Sequence, residues 1–504
     1  MASTASLDTL TEDQLRTLAR ALMAEVTLKQ TTIEKLTHEN ALLKRLKFGT
    51  RSESYTAEQR QLFEETLDTD LAALEQEMLA ASPVSAREPT PEKLVPKRAP
   101  LPAHLPRREI RHEPDSTVCR CGCALRRIGE DVSEKLDYTP GVFTVERHVR
   151  GKWVCASCET LTQAAVPAQV IDKGLPTAGL LAQVLIAKFA DHLPLYRQEK
   201  IFERAGFAIA RSTLAQWVGV CGVQLAPLLA ALKAELFTQP VLHADETPVA
   251  MLKPGTGKTH RAYLWGYAST AFAPLPVVLY DFTESRAGAH ARDFLGDWRG
   301  TLVTDDYSGY KALYTSGVTE AGCMAHARRK FHELFATGKS LIAEEALTHF
   351  GALYAIEAEL AALDTQARLH ARQQHAQPAA DALHRWLTAH RPKVSDGSAT
   401  AKAIDYSLKR WGALTRYLSD GALPIDNNRV ENAIRPIALG RKNWLFAGSL
   451  RAGQRAAAVM SLVQSARLNG HDPYAYLKDV LTRLPTQPAS RIAELLPHRW
   501  QPEG

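Results

Sequence analysis

No stretch of this chain approaches eighteen uninterrupted apolar residues, which excludes a membrane-spanning helix on length alone. The first residues carry Asp8, Glu12 and Asp13 rather than the basic and then apolar layout of an export signal. These two absences predict a cytoplasmic protein with no membrane partner. Cysteine is scarce, with seven in 504 residues. Five crowd at Cys119, Cys121, Cys123, Cys155 and Cys158, while Cys221 and Cys323 stand alone in apolar surroundings. An odd, clustered set in a cytosolic chain argues against a disulfide framework and for metal binding. Internal repeats are absent too. The formal net charge, +6, is too small for this length to establish a nucleic-acid partner.

What is present is an ordinary globular composition, 45% hydrophobic and 23% charged, with enough chain for three or four domains and one large core. The distribution of charge says more than its sum. Arg87 to Arg111 holds seven basic residues against three Glu, and Arg429 to Arg455 holds six against Glu431 alone. Local basic excess is the usual footprint of a phosphate backbone, although a solvated basic linker reads the same way.

Residues 11–81 form the first unit. With Ala19, Val26, Ile33 and Asn40 at heptad position a, Leu15, Leu22, Lys29, Leu36 and Leu43 fall at d. That pattern favours a parallel two-stranded coil with Asn40 fixing register, hence a homodimer or higher oligomer. A single amphipathic helix packed on its own chain is the other reading. A second helix is expected from about Ala57 to Ala81. Residues 82–114 form a basic linker that Pro83, Pro89, Pro91, Pro96, Pro100, Pro102 and Pro106 keep extended.

Residues 115–172 make a small cysteine module. Cys155 and Cys158 have the two-residue gap that lets both thiolates of one turn reach one ion, and alternating residues from Val142 to Val149 read as a strand between the two knuckles. Four thiolates around one structural Zn²⁺, at about 2.3 Å, are the expected product. The first knuckle is shortened to C-x-C, so either Cys119 or Cys123 completes the site with Cys121. Cys119 is the favoured partner, leaving the set Cys119, Cys121, Cys155 and Cys158. A redox dithiol is the competing reading, but no thioredoxin-like unit surrounds it.

Residues 173–238 are helical. Leu195 to Glu203, a break at Gly206, and Ser212 to Val220 look like a helix-turn-helix with Ser212 as N-cap of the second helix. Arg211, Ser212, Thr213 and Gln216 would then face DNA, whereas an ordinary helical hairpin would leave them on the surface. From 239 to 482 the order changes: strands at Val241–Val249, Arg261–Ala268 and Pro276–Phe282, a helix, and an apolar strand at Thr301–Thr304. This order matches the start of an RNase H-like α/β domain. A helical insertion is expected at about 331–424, broken near Pro392 to Gly397, and residues 483–504 read as a loose tail. The fold class is therefore multidomain α+β.

Asp245 lies on the first of these strands and Asp305 ends the fourth, sixty residues later. In RNase H-like enzymes one carboxylate from each position joins a third from a later helix, and together they hold two Mg²⁺, Mn²⁺ substituting. Glu431 is the candidate third acid. Asn428-x-x-Glu431 also fits a capping box, and Pro436 is expected to end or kink the helix within two turns.

These residues carry a resemblance to transposases of bacterial insertion-sequence family 66, and it covers nearly the whole chain. It runs through Phe48-Gly-Thr-Arg-Ser-Glu53, Leu101-Pro-Ala-His-Leu-Pro106, Arg127-Ile-Gly-Glu-Asp131, Ala244-Asp-Glu-Thr247, Thr304-Asp305, Gly322-Cys-Met-Ala-His-Ala-Arg-Arg-Lys-Phe331 and Arg441-Lys-Asn-Trp-Leu-Phe-Ala-Gly-Ser449. The resemblance implies a catalytic triad of Asp245, Asp305 and Glu431. It implies binding of terminal inverted repeats, DNA cleavage and strand transfer into target DNA, with small accessory proteins of the same element. The setting would be the bacterial cytoplasm, at the nucleoid when DNA is bound. The family pattern has Gly where Asp306 stands, so Asp305 is the expected ligand and Asp306 a bystander of open role.

Arg441, Lys442 and Trp444 follow the third acid, where cations would hold phosphates and the indole would stack on an unpaired base or pack in the core. His326 is by default a structural histidine, with a role near the metals as the alternative. Two further functions remain open on the sequence: a domesticated DNA-binding protein without catalysis, and an RNase H-like nuclease that cuts but does not join.

Overall fold

The computed structural model describes residues 11–48, 57–81, 100–139, 141–171, 174–253 and 258–502. Most of the Pro-rich linker, the matching segment beyond Phe48, and the side chains of Asn40 and Leu43 lie outside the described residues.

Helix α1 (Glu12–Phe48) exposes its heptad side chains Leu15, Leu22, Val26, Ile33 and Leu36. Helix α2 (Ala57–Ala81) instead buries Leu62, Ala72, Ala73 and Leu74. A first sheet follows, made of β1 (Arg107–His112), β2 (Leu125–Thr139), β3 (Val142–Cys155) and β4 (Leu161–Gln163). The strand order is β1-β3-β2, with β4 on β3, and β2 and β3 form a long hairpin from Leu125↔Cys155 to Thr139↔Val142. β3 carries the expected two-faced pattern, burying Phe143, Val145 and Val149. β2 has no such alternation. Arg126, Arg127, Ile128 and Glu130 face water, and the strand exists because β3 pairs it along its length.

Four helices come next: α3 (Ala178–Phe189), α4 (Leu195–Arg204), α5 (Arg211–Gln224) and α6 (Ala226–Leu236). Ser212 is not the N-cap of α5. The helix already begins at Arg211, whose amide donates to Glu199 Oε1 at 3.0 Å, so a carboxylate from α4 does the capping and Ser212 sits exposed in the first turn. One face of α5 is covered by α2, so closely that a Cβ on Gly219 would lie 2.4 Å from the Thr69 carbonyl oxygen.

The second sheet has five strands: β5 (Val241–Lys253), β6 (Lys258–Ser269), β7 (Val278–Thr283), β8 (Thr301–Thr304) and β9 (Thr319–Gly322). Their order is β7-β6-β5-β8-β9. The pairs β5–β6 and β6–β7 are antiparallel, and β5–β8 and β8–β9 are parallel. Helix α7 (Gly288–Leu295) lies between β7 and β8 in the chain, and α8 (Lys311–Thr315) precedes β9. Thr-Glu-Ala-Gly at β9 offers no apolar run that would announce a strand; parallel pairing with β8 creates it.

The helical segment then runs α9 (Met324–Gly338), α10 (Leu341–Leu360), α11 (Thr365–Ala371), α12 (Gln377–His390), α13 (Ala399–Lys409) and α14 (Trp411–Leu414). It has its own core around Phe331, Phe350, Leu383 and Ile404, continuous with Val303 and Ala321 of the sheet. Fully buried Arg372 ties it together, pairing with Glu357 and donating to the carbonyls of Tyr417, Asp420 and Leu423.

Three helices close the fold: α15 (Asn428–Trp444), α16 (Leu450–Leu468) and α17 (Pro473–Arg483). α15 does not end at Pro436. The proline ring faces solvent, while Val430, Ala433, Ile434 and Ile437 bury the opposite face and carry the helix past the missing N–H. α16 lies on β7, where the hydroxyls of Ser465 and Ser461 accept from the amides of Val278 (3.1 Å) and Tyr280 (2.8 Å). Residues 484–502 are not a loose tail: Leu495, Leu496 and Trp500 are buried, and the Trp500 indole donates to Asp479 at 2.6 Å. Among the described residues, no single helix is long and apolar enough to cross a membrane.

Candidate active site

Two ligand-rich clusters stand out. In the first sheet, the thiols of Cys119, Cys121, Cys155 and Cys158 lie within 4.8 Å of one another. The sulfurs of Cys119 and Cys158 are 3.3 Å apart and those of Cys121 and Cys155 3.6 Å apart, separations that one tetrahedral ion would span. β3 delivers Cys155 at its end, and the following turn brings Cys158 round. Gly122, with φ of +86°, turns the chain between Cys121 and Cys123; Cys123 also reaches Cys121 and Cys155 but is not one of the four whose sulfurs all lie within 4.8 Å of one another. This donor set fits Zn²⁺, with no open position for substrate.

The second cluster lies at the parallel edge of the larger sheet. β5 and β8 pair at His243↔Val303, so Asp245 and Asp305, each two residues further on, emerge side by side. Burial pushes the Asp245 carboxyl up to about 8, and the charges of Glu246, Glu431 and Asp305 push the same way. Glu246 points into different company: Arg286 Nε reaches its Oε1 at 2.7 Å and the Tyr310 hydroxyl its Oε2 at 2.8 Å. Asp305 accepts from the Tyr307 amide at 2.9 Å. Asp306 is taken up by Arg410, which also binds Glu320 at 2.8 Å.

Glu431 enters from the first turn of α15. The capping-box alternative does not form. The N-cap is Asn427, and Asp426 Oδ1 accepts from the Asn428 amide at 3.1 Å. Glu431 is left with Arg329 at 3.3 Å and His326 Nδ1 at 3.6 Å, and its buried Oε1 has no hydrogen-bond partner. What aims α15 at the sheet is Asn427, fully buried. Its Nδ2 donates to the Ala244 carbonyl at 2.8 Å, its Oδ1 lies 2.8 Å from His243 Nδ1, and its amide donates to Cys323 Sγ at 3.2 Å. Burial drives the His243 imidazole down to about 4, so it is neutral and donates Nδ1–H to Asn427. Neither Asn427 nor His243 stands out in the sequence as a site residue; the polar run 426–428 at a helix start is the one signal it offers.

The residues expected to touch DNA are dispersed. Arg211 pairs with Glu64 of α2 at 2.7 Å, Ser212 and Gln216 are exposed, and Thr213 is half-buried. Arg441 reaches the Pro248 carbonyl and Thr247, and Lys442 is exposed; both line a groove with His260 and Arg261. Trp444 packs against the main core and donates to His192 at 3.4 Å, so its indole is not free for base stacking in this arrangement.

Comparison with known proteins gives this combination a class. Residues 116–159 match the zinc-finger binding domain of transposase IS66, and residues 35–110 match the segment described as transposase C of IS166 homeodomain. Proteins built from these modules are transposases of insertion sequences, DNA-processing enzymes that carry a zinc-finger module. Residues 173–455 match the transposase IS66 family and residues 461–498 its C-terminal element, and the chain belongs to that family. Among its relatives are three Sinorhizobium fredii proteins. Uncharacterized protein y4jD is 37% identical over 489 residues, covering 92% of this chain and 94% of the relative. Uncharacterized protein y4qI is 37% identical, covering 94% and 90%, and y4hP is 35% identical, covering 90% and 86%.

Proposed function

We propose that Asp245, Asp305 and Glu431 form the catalytic triad of an RNase H-like domain that cleaves the ends of an insertion sequence and joins them to target DNA. The observation that carries this reading is the β5–β8 register beside the incoming first turn of α15. It sets two carboxylates side by side and adds a third, with too little positive charge among them. The strand order β7-β6-β5-β8-β9 is the arrangement expected of an RNase H-like sheet. Three carboxylates are hard oxygen donors suited to two Mg²⁺, or Mn²⁺ in their place. Such ions, when bound, supply Lewis-acid stabilisation of the attacking and leaving oxygens in phosphoryl transfer.

The chain's own residues do the remaining work. Asn427 fixes the angle at which Glu431 approaches β5. Lys442 and Arg441, with His260 and Arg261, offer a basic groove for the phosphate backbone. The zinc module and the surface of α5 that carries the exposed Ser212 and Gln216, with Arg211 and Thr213 beside them, are the proposed contacts to the terminal inverted repeats. A homodimer through α1 and small accessory proteins of the element complete the proposed assembly.

The test is strand transfer of pre-cleaved end DNA into a plasmid with Mg²⁺. Asp245→Asn, Asp305→Asn and Glu431→Gln should each lose about three or more orders of magnitude, since each 1.36 kcal/mol is tenfold in rate and such a site is worth several. Asp306→Asn, which only frees Arg410, should be clearly milder, and binding to end DNA should survive in all four. Near-normal joining by Glu431→Gln beside a dead Asp306→Asn would refute the triad; cutting without joining in the wild type would make the protein a nuclease. Separately, purified protein should carry about one equivalent of Zn²⁺, lost in Cys155→Ser. Metal analysis finding none under reducing conditions would remove the zinc assignment.

A further inference from the structure

We infer that Cys323, His326 and Glu431 form a second transition-metal site, suited to Zn²⁺ and distinct in chemistry from both the four-cysteine module and the oxygen-only triad. Their ligand atoms lie within 4.8 Å of one another. The geometry comes from two helix starts that converge. Cys323 is the N-cap of α9 and His326 the third residue of that helix, so both project from one turn. Glu431, in the first turn of α15, arrives from the opposite side.

Two of the three donors are short of partners. His326 Nδ1 and Glu431 Oε1 are both buried, both lack a hydrogen bond, and lie 3.6 Å apart. That is too long for a hydrogen bond. It is close to the edge of a tetrahedron around zinc, about 3.4 Å for Zn–N and Zn–O bonds of about 2.0–2.2 Å. The third donor, Cys323 Sγ, is held in place by the Asn427 amide at 3.2 Å.

The donor set also selects the ion. A thiol and an imidazole are soft to borderline ligands, which favour Zn²⁺ over Mg²⁺. A thiol binds a metal ion as thiolate, so each ion bound at this site releases a proton to the buffer. Thiolate and carboxylate then balance the dication. Three protein ligands leave the fourth position for water. The competing contacts are weak: Arg329, half exposed, reaches Glu431 at 3.3 Å and His326 Nε2 at 3.4 Å.

If Glu431 is the third catalytic carboxylate, which rests on the reading above, this ion withdraws it from the triad. Binding itself does not depend on that reading. The experiment is a Co²⁺ titration of the full chain carrying its zinc-module ion, in thiol-free reducing buffer, followed by equilibrium dialysis and absorbance. The expected result is one further equivalent of Co²⁺ with a thiolate-to-cobalt charge-transfer band of single-thiolate intensity. Cys323→Ser should abolish the band. His326→Gln should weaken binding by more than about ten-fold, since even partners outside the ligand shell are worth that much. His326 is partly exposed, so this variant carries the test if the buried cysteine variant does not fold. Absence of a further equivalent, or a further equivalent that the folded variants retain unchanged, would overturn the site.

Discussion

Asn427 is a small side chain with an unusual number of obligations. Its amide group satisfies the Ala244 carbonyl and the His243 imidazole, both on β5 within two residues of Asp245. Replacement by Ala leaves two buried polar groups unpaired, each costing about 1–3 kcal/mol. Asn427→Ala should therefore lower the urea midpoint markedly without changing the slope; an unaltered midpoint would mean these bonds are not formed. Such a residue is hard to find in a sequence, because Asp-Asn-Asn before a helix reads as ordinary capping. Asp245 and Asp305 were easier, since each ends or interrupts an apolar strand and thereby contradicts its own surroundings. Among the cysteines, spacing alone left Cys119 and Cys123 open; the turn at Gly122 brings Cys119 to the other three.

At the scale of elements, periodic segments were legible and paired ones were not. α1, the two-faced β3 and the apolar β5 and β8 follow from their own residues. β2 and β9 carry no internal pattern and form only because a neighbouring strand offers its hydrogen bonds. α15 runs through Pro436 for a related reason: tertiary burial of one face outweighs a local helix breaker. α1 yields a prediction of its own. Leu22 and Val26 are 51% and 65% exposed in a single chain, as a dimer seam requires. Leu22→Glu with Val26→Glu should weaken self-association in light scattering while leaving the thermal midpoint of the body unchanged. An oligomer unaffected by both charges would place the interface elsewhere. Removing everything before residue 90 is a poorer test, because it also strips α2.

At the scale of the molecule, α2 lies against the main body of the protein and brings acids to it in sequence. Glu64 meets Arg211, Glu65 meets Lys188 and the Leu195 amide, Asp70 meets Arg455, and Glu77 meets Arg451. These contacts differ greatly in worth. The Glu64 side chain is 57% exposed, so its pair with Arg211 is worth about 0–1 kcal/mol in water. Asp70 and Arg455 are buried, 2.5 Å apart, and removing one charge strands the other away from solvent at a cost of about 3–5 kcal/mol. Asp70→Asn should therefore depress the unfolding midpoint strongly, whereas Glu64→Gln should barely move it. Pairing Asp70→Asn with Arg455→Met should recover much of the loss, because the double variant leaves no buried charge unpaired. If α2 instead folds independently of the body, Asp70→Asn will produce a separate early transition rather than a shift of the main one, and the N-terminal segment would then be a detachable module.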